Sequence, residues 1–211
     1  MMNLNEINFR NKNLVEEIIN SRRDSIIMAD GDLQFVYGFG DASSGIVLIG
    51  EAPGKDEVKN GEPFVGKAGA ILNQILGDSG FRRENLYITN TIKYRLARNG
   101  SRPGTLANRP ATAFEITVSS KWLYEELKAV NPRLVLSLGN VPYKCLSALF
   151  DGISPQKTTV GDVHGSELHI NDCDLNAIYV PLYHPASLIY NSSLKEAYMK
   201  DMEHVANLVK M

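Results

Sequence analysis

Cysteine is scarce in this chain, with only Cys145 and Cys173 among 211 residues and no CxxC spacing. Two isolated thiols build no disulfide framework, and they predict reduced, structural cysteines of the kind a cytoplasm keeps. Long apolar runs are also missing: none approaches the ~18 residues of a membrane span, so no membrane partner is expected. The opening stretch MMNLNEINFRNKNLVEEIIN has no apolar core of a signal peptide, which fits a cytoplasmic location. Neither charge sign dominates. The net charge of −2 gives no global signature of a nucleic-acid binder, so any contact with DNA must come from a local patch. Internal repeats and low-complexity tracts are absent. What remains is an ordinary globular composition, 44% hydrophobic and 22% charged, long enough for one domain over residues 1–211 with a substantial core.

The most informative stretch runs from Ile46 to Leu72, IVLIGEAPGKDEVKNGEPFVGKAGAIL. Ile46 to Ile49 predict a short buried strand. A Gly-Glu-Ala-Pro-Gly turn, a charged loop and a second tight element at 61–66 then lead into a helix carrying Ala68, Ile71, Leu72, Ile75 and Leu76. Strand, glycine-rich loop and helix in succession build a pocket at the carboxyl edge of an α/β sheet. Further strands are predicted at 33–37, 86–90, 134–138 and 177–182. Helices are predicted over about 4–20, 113–130, 140–149 and 194–209, with a hairpin somewhere in 151–176. Strands separated by helices imply a mostly parallel sheet covered on both faces. The segment 91–110 holds Lys93, Arg95, Arg98, Arg102 and Arg109 with no acidic residue, and is read as a basic loop.

Three polar residues fall at or just past predicted strand ends: Glu51, Asn90 and His184. In an open parallel sheet those ends gather at one edge, and Phe64 lies in the loop beside them. A carboxylate, an amide, an imidazole and an aromatic face suit a flat polar heterocycle. The amide donates and accepts at once, and the imidazole donates to an oxygen that turns negative as a bond breaks. Each residue also has an ordinary reading: strand-end asparagines form caps, a lone phenylalanine packs in a core, and basic runs are commonly solvated loops.

The motifs GEAPGKDE, GEPFVGKAG, YITNTIKYR and YHPASLIYN, in this order and spacing, resemble the uracil-DNA glycosylase superfamily, specifically its family four. The resemblance spans roughly 33–190. It implies a three-layer α/β/α sandwich with a central, mostly parallel four-stranded sheet, and it implies hydrolysis of the uracil–deoxyribose bond in DNA. By matching position, Phe64 would stack on the base, Asn90 would bond its pyrimidine edge, and His184 would donate to uracil O2. Glu51 would orient water or support the cationic sugar. Gly50, Ala52, Pro53 and Gly54 complete the first motif, and Ala52 stands where the best-known family carries a water-activating aspartate. Glu57 would exclude the thymine methyl. The amides of Gly54, Gly66 and Ser187 would hold phosphates, Lys93 and Arg95 would attract the backbone, and Leu188, in His184-Pro185-Ala186-Ser187-Leu188, would wedge into the base stack.

The chain departs from this family at the four cysteines that hold a [4Fe–4S] cluster. The first pair's region reads Asn20-Ser21-Arg22-Arg23-Asp24, the third position is Tyr94 and the fourth falls at Ser119. Thiolates hold such clusters, so no cofactor and no metal are expected, and packing around Tyr94 and Trp122 is expected to fix the 91–120 loop. The resulting expectation is a monomeric, monofunctional glycosylase, with no lysine placed by the motifs for a Schiff base. Two rivals stand beside it. One is a catalytically silent DNA-binding protein of the same fold. The other is a nucleotide hydrolase, because GEPFVGKA lies one residue from the phosphate-binding pattern GxxxxGK[ST].

Overall fold

A computed structural model describes residues 2–22, 26, 33–151, 153 and 158–210. The chain runs α1 (Leu4–Ser21), β1 (Phe39–Gly40), β2 (Ile46–Gly50), α2 (Lys55–Asn60), α3 (Lys67–Asp78) and β3 (Tyr87–Asn90). It continues through β4 (Ala97–Asn99), β5 (Leu106–Asn108), α4 (Ala113–Val130), β6 (Leu134–Leu138) and α5 (Asn140–Leu149). The last elements are α6 (Val160–Val163), β7 (Leu168–Asn171), β8 (Asn176–Leu182), α7 (Ser187–Tyr190) and α8 (Leu194–Lys210).

Among the described residues the main sheet has six strands in the order β1-β3-β2-β6-β8-β7, not four, and β4 and β5 pair separately as a hairpin. Four of the predicted strands, those at 46–49, 86–90, 134–138 and 177–182, form its parallel centre, since β2 pairs in parallel with β3 and β6, and β6 with β8. The two additions are short antiparallel edges. β1 pairs with β3 and β7 folds back on β8. The predicted strand at 33–37 is instead extended chain with one bridge, Phe35 to Tyr94. Too few of its backbone groups reach a neighbour to make a ladder. No complete hairpin lies among the described residues of 151–176: that segment supplies β7, which pairs with the expected strand β8 across a turn closed where the Asp172 N–H donates to the Leu175 carbonyl at 2.9 Å; residues 152 and 154–157 lie outside the described ones.

β2 shows why the centre reads as continuous apolar sequence. Every residue from Ile46 to Gly50 is buried, because helices cover both faces. Ile46 and Leu48 pack with Leu72 and Leu76 of α3 and with Met202 and Val205 of α8. Val47 and Ile49 point the other way, into the cluster of Val15 from α1, Trp122 and Leu127 from α4 and Leu146 from α5. Burying each such side chain stabilises the fold by about 1.5–3 kcal/mol. The covering helices start at defined caps. The Asn3 side chain and Glu6 bond each other's backbone N–H at the head of α1, and Thr112 and Glu115 do the same at the head of α4.

Candidate active site

Because β2, β3 and β8 run parallel, their carboxyl ends meet at one edge. Gly50 of β2 stands level with Asn90 of β3. The chain passes from β2 to β3 on one side and later returns through β6 on the other, so the crevice opens where the strand order reverses. A cavity of about 350 Å³ lies there, with Glu51, Phe64, Asn90 and His184 all on its wall. Ala52, Gly54, Glu57 and Gly66 line the same cavity, and Pro53 lines a smaller recess of about 150 Å³ that shares Glu51 and His184 with it. The volume lies in the small-molecule range of roughly 300–1,000 Å³.

Phe64 is held under constraint. Its φ is 54°, the left-handed region that a bulky side chain rarely adopts, yet the residue is 6% exposed. Two glycines make room for it. A Cβ on Gly69 would lie 1.8 Å from the Phe64 carbonyl oxygen, and one on Gly50 would lie 2.5 Å from the ring. Arg83 donates to the carbonyl of Pro63 just before it. The ring then stands 6.1 Å from the His184 ring, tilted by 34°.

Glu57 joins the two loops of the pocket. One carboxylate oxygen accepts the Gly54 N–H at 3.1 Å, and the other accepts those of Val65 and Gly66 at 3.2 and 2.9 Å. His184 is similarly fixed. Its Nδ1 accepts the Ala186 N–H at 3.2 Å. The neutral ring therefore carries its proton on Nε2, and burial lowers the pKa from 6.5, keeping the ring neutral. Burial pushes the Glu51 carboxyl the opposite way, above the ordinary 4.5.

Several expected DNA contacts are placed elsewhere. Lys93 is fully buried and ion-paired with Glu126 at 2.5 Å, so it is not a surface contact for the phosphate backbone. The N–H groups of Gly54 and Gly66 are taken by Glu57, and that of Ser187 donates to the His184 carbonyl at 2.8 Å, so none of the three is open to a phosphate. The same bonds answer the resemblance to a phosphate-binding loop, because a carboxylate of the chain itself occupies the amides of Val65 and Gly66. Arg95 is half-buried, one guanidinium nitrogen 3.4 Å from Asn108 Oδ1. Arg109 pairs with Glu115 at 2.6 Å, whereas Arg98 and Arg102 are exposed on the β4–β5 hairpin. Pro185 is buried at the turn. Leu188 is half-buried against the core beneath it, and the exposed apolar tip is Ile189 and Tyr190, at 52% and 87%.

The residues at the expected cluster positions do not fit an iron–sulfur group. The hydroxyl of buried Tyr94 donates to Glu115 at 3.0 Å, and Ser119 is buried on α4. Cys145 brings one buried thiol, 4.0 Å from the Ile116 carbonyl, while Cys173 is exposed. Two cysteines cannot supply four thiolates. Of the first pair's region, Arg23 and Asp24 lie outside the described residues. Internal bonds tie the segment down instead: Trp122 Nε1 to the Thr91 carbonyl at 2.8 Å, and Arg109 and Tyr94 both to Glu115.

Sequence reasoning missed Asn108, which reaches the cavity wall from β5, and Lys55 and Lys67, which stand exposed on that wall at the heads of α2 and α3. No local signal marks Asn108, because only the hairpin's fold-back brings it to the pocket. Lys67 falls at the expected start of α3, whereas the stretch from Lys55, expected as a charged loop, is the short helix α2, and neither lysine's nearness to the strand ends was legible.

The model of the family described as "Uracil DNA glycosylase superfamily" matches residues 37–206. A type-4 uracil-DNA glycosylase of Archaeoglobus fulgidus is 32% identical over 195 residues, covering 92% of this chain and 91% of the relative. One of Thermotoga maritima is 32% identical over 83% of each chain, and one of Saccharolobus solfataricus is 30% identical over 81% of this chain and 74% of its own. With the strand-end pocket and these matches together, the chain belongs to the uracil-DNA glycosylase superfamily.

Proposed function

We propose that this chain is a monomeric, monofunctional DNA repair glycosylase that hydrolyses the bond between uracil and deoxyribose and leaves an abasic site. The observation that carries the reading is that Glu51, Phe64, Asn90 and His184, from distant parts of the sequence, line one cavity.

A base in duplex DNA must first leave the stack, at about a few kcal/mol. The exposed tip of Ile189 and Tyr190, just beyond His184, is suited to fill the gap it leaves. Inside the cavity Phe64 stacks on the pyrimidine, and the Asn90 amide accepts from its N3–H and donates to O4. When the C1′–N1 bond breaks, its electron pair stays with the base and the charge spreads to O2. His184 meets that oxygen with its Nε2 proton, as a fixed dipole aimed where charge develops. Glu51, ionised, faces the positive sugar. Water oxygen bonds to C1′ and its proton passes to solvent.

Lys55 and Lys67 are solvent-exposed, whereas an amine nucleophile is activated by desolvation; they serve the phosphates instead. Arg98 and Arg102 on the hairpin add to the same attraction.

One observation favours a silent DNA binder: Ala52 offers no general base on the cavity wall. Base release separates the two readings. A labelled oligonucleotide with one uracil is expected to become alkali-cleavable, with the rate lowered by about 10²–10³ in His184→Ala and strongly lowered in Asn90→Ala. Uracil-DNA binding with no release by wild type would establish the silent reading. Cleavage without alkali, with borohydride trapping, would overturn the monofunctional one.

A further inference from the structure

We propose that Lys93 is a positioning residue: its buried ammonium, held by Glu126, caps the open end of β3 and fixes where the Asn90 amide points into the cavity. The proposal rests on Asn90 reading the pyrimidine, as set out above, and it concerns what holds that amide in place.

Asn90 is the last residue of β3, and beyond it the ladder is one-sided. The N–H groups of Thr91 and Ile92 still donate across to Gly50 and Glu51 carbonyls, at 2.8 and 2.9 Å. The carbonyls of Asn90 and Thr91 are met from the protein interior by side chains. Lys93 Nζ donates to the first at 2.7 Å and Trp122 Nε1 to the second at 2.8 Å. The backbone carrying the pocket amide is thus clamped from both sides, by β2 and by two side chains, Trp122 of α4 and Lys93, which Glu126 of α4 holds.

The lysine itself is fully satisfied. Its three ammonium protons face the Asn90 carbonyl, Thr89 Oγ1 at 2.6 Å and Glu126 Oε2 at 2.5 Å. The other Glu126 oxygen accepts the Tyr87 hydroxyl at 2.7 Å and the Thr89 hydroxyl at 3.0 Å. Tyr87, Thr89, Lys93 and Glu126 are each at most 1% exposed. A buried ion pair is a weak source of stability compared with an apolar pair of the same volume. A network with every donor and acceptor matched does, however, define one arrangement of the groups it touches. The group it touches at the pocket is Asn90.

The space around the amide makes its aim consequential. Asn90 Oδ1 and the Phe64 ring crowd the same point above Gly50, where a Cβ would lie 2.4 and 2.5 Å from them. A small shift of the strand end moves the amide against the ring that would stack on the base.

Removing Lys93 alone strands the Glu126 carboxylate, so the test uses Lys93→Met with Glu126→Leu, which removes both charges together, and Thr89→Val, which deletes one ammonium partner. Two readouts are taken. The first is the side-chain amide resonance of Asn90 in the free protein, assigned with Asn90→Ala. The second is single-turnover uracil release beside the Kd for uracil-containing DNA. The expected result is a moved or broadened Asn90 amide in both variants. Release in the paired variant should fall at least about tenfold with Kd within about threefold, the signature of a lost transition-state interaction. Asn90→Ala should add less in that background than in wild type. An unmoved amide resonance overturns the proposal whatever the rate, and so does release within about twofold of wild type. A wild type that releases no uracil defeats the functional reading, while the amide resonance still decides the positioning one.

Discussion

Gly50 and Asn90 are level in neighbouring strands, and the asparagine's Oδ1 sits only 2.4 Å from where a Cβ on the glycine would be. The close approach gives the amide its place at the cavity wall, next to the Phe64 ring. Gly50→Ala is therefore expected to displace both. Overpacking of this kind destabilises by about 1–3 kcal/mol, which a domain of this size tolerates. Uracil release should fall at least tenfold, by roughly the effect of misplacing a reacting group, while circular dichroism keeps the native spectrum. Activity near wild type would mean that the amide has another position available.

Glu51 gives a pH signature with a definite sign. Its carboxyl is raised above 4.5 by burial, so the acid limb of kcat/KM should lie above that value, and Glu51→Gln should remove the limb while lowering the rate. For stability, the folded state holds this proton more tightly than the unfolded one. The contribution is complete below pH 4.5 and is lost as pH rises through the folded pKa. Glu51→Gln should then raise Tm at neutral pH, with the gap closing below pH 4.5. His184 behaves in the reverse sense. Its pKa lies below 6.5, so its contribution is present above that pH and fades as pH falls through the folded pKa.

The basic segment divides by burial, and salt dependence should follow the division. Lys67→Ala and Arg98→Ala each remove an exposed cation beside the cavity or on its hairpin, and each should lower the slope of log K against log salt by about 1. The paired Lys93→Met, Glu126→Leu variant should leave that slope unchanged, since its charges face inward. A reduced slope in the paired variant and not in the other two would place the DNA on a different face.

The parallel strands were legible because two covered faces demand uninterrupted apolar residues, as in Ile46–Ile49, and because glycine and polar residues mark where each strand ends. The edge strands were not. β1 has two residues and β7 exposes alternate side chains, so neither carries a buried run. The basic segment misled for a physical reason. Charge counts in a sequence take no account of direction, and Lys93 and Arg109 find carboxylates on α4 more than five residues away, at Glu126 and Glu115. Nothing local distinguishes them from Arg98 and Arg102, which remain in solvent.

By itself the sequence determined the helix–sheet alternation, the strand ends at Glu51, Asn90 and His184, and a cysteine content that cannot hold a four-thiolate cluster. These are short-range properties: periodicity, residue type and count. The tertiary structure decided which of the polar groups face the cavity and which satisfy one another. Glu57 turned to three backbone N–H groups, Ala186 set the tautomer of His184, and Lys93 went inside to Glu126. The first two are settled within single loops by the backbone path, and the third joins segments 33 residues apart; in each a donor must find an acceptor or remain unsatisfied at a cost.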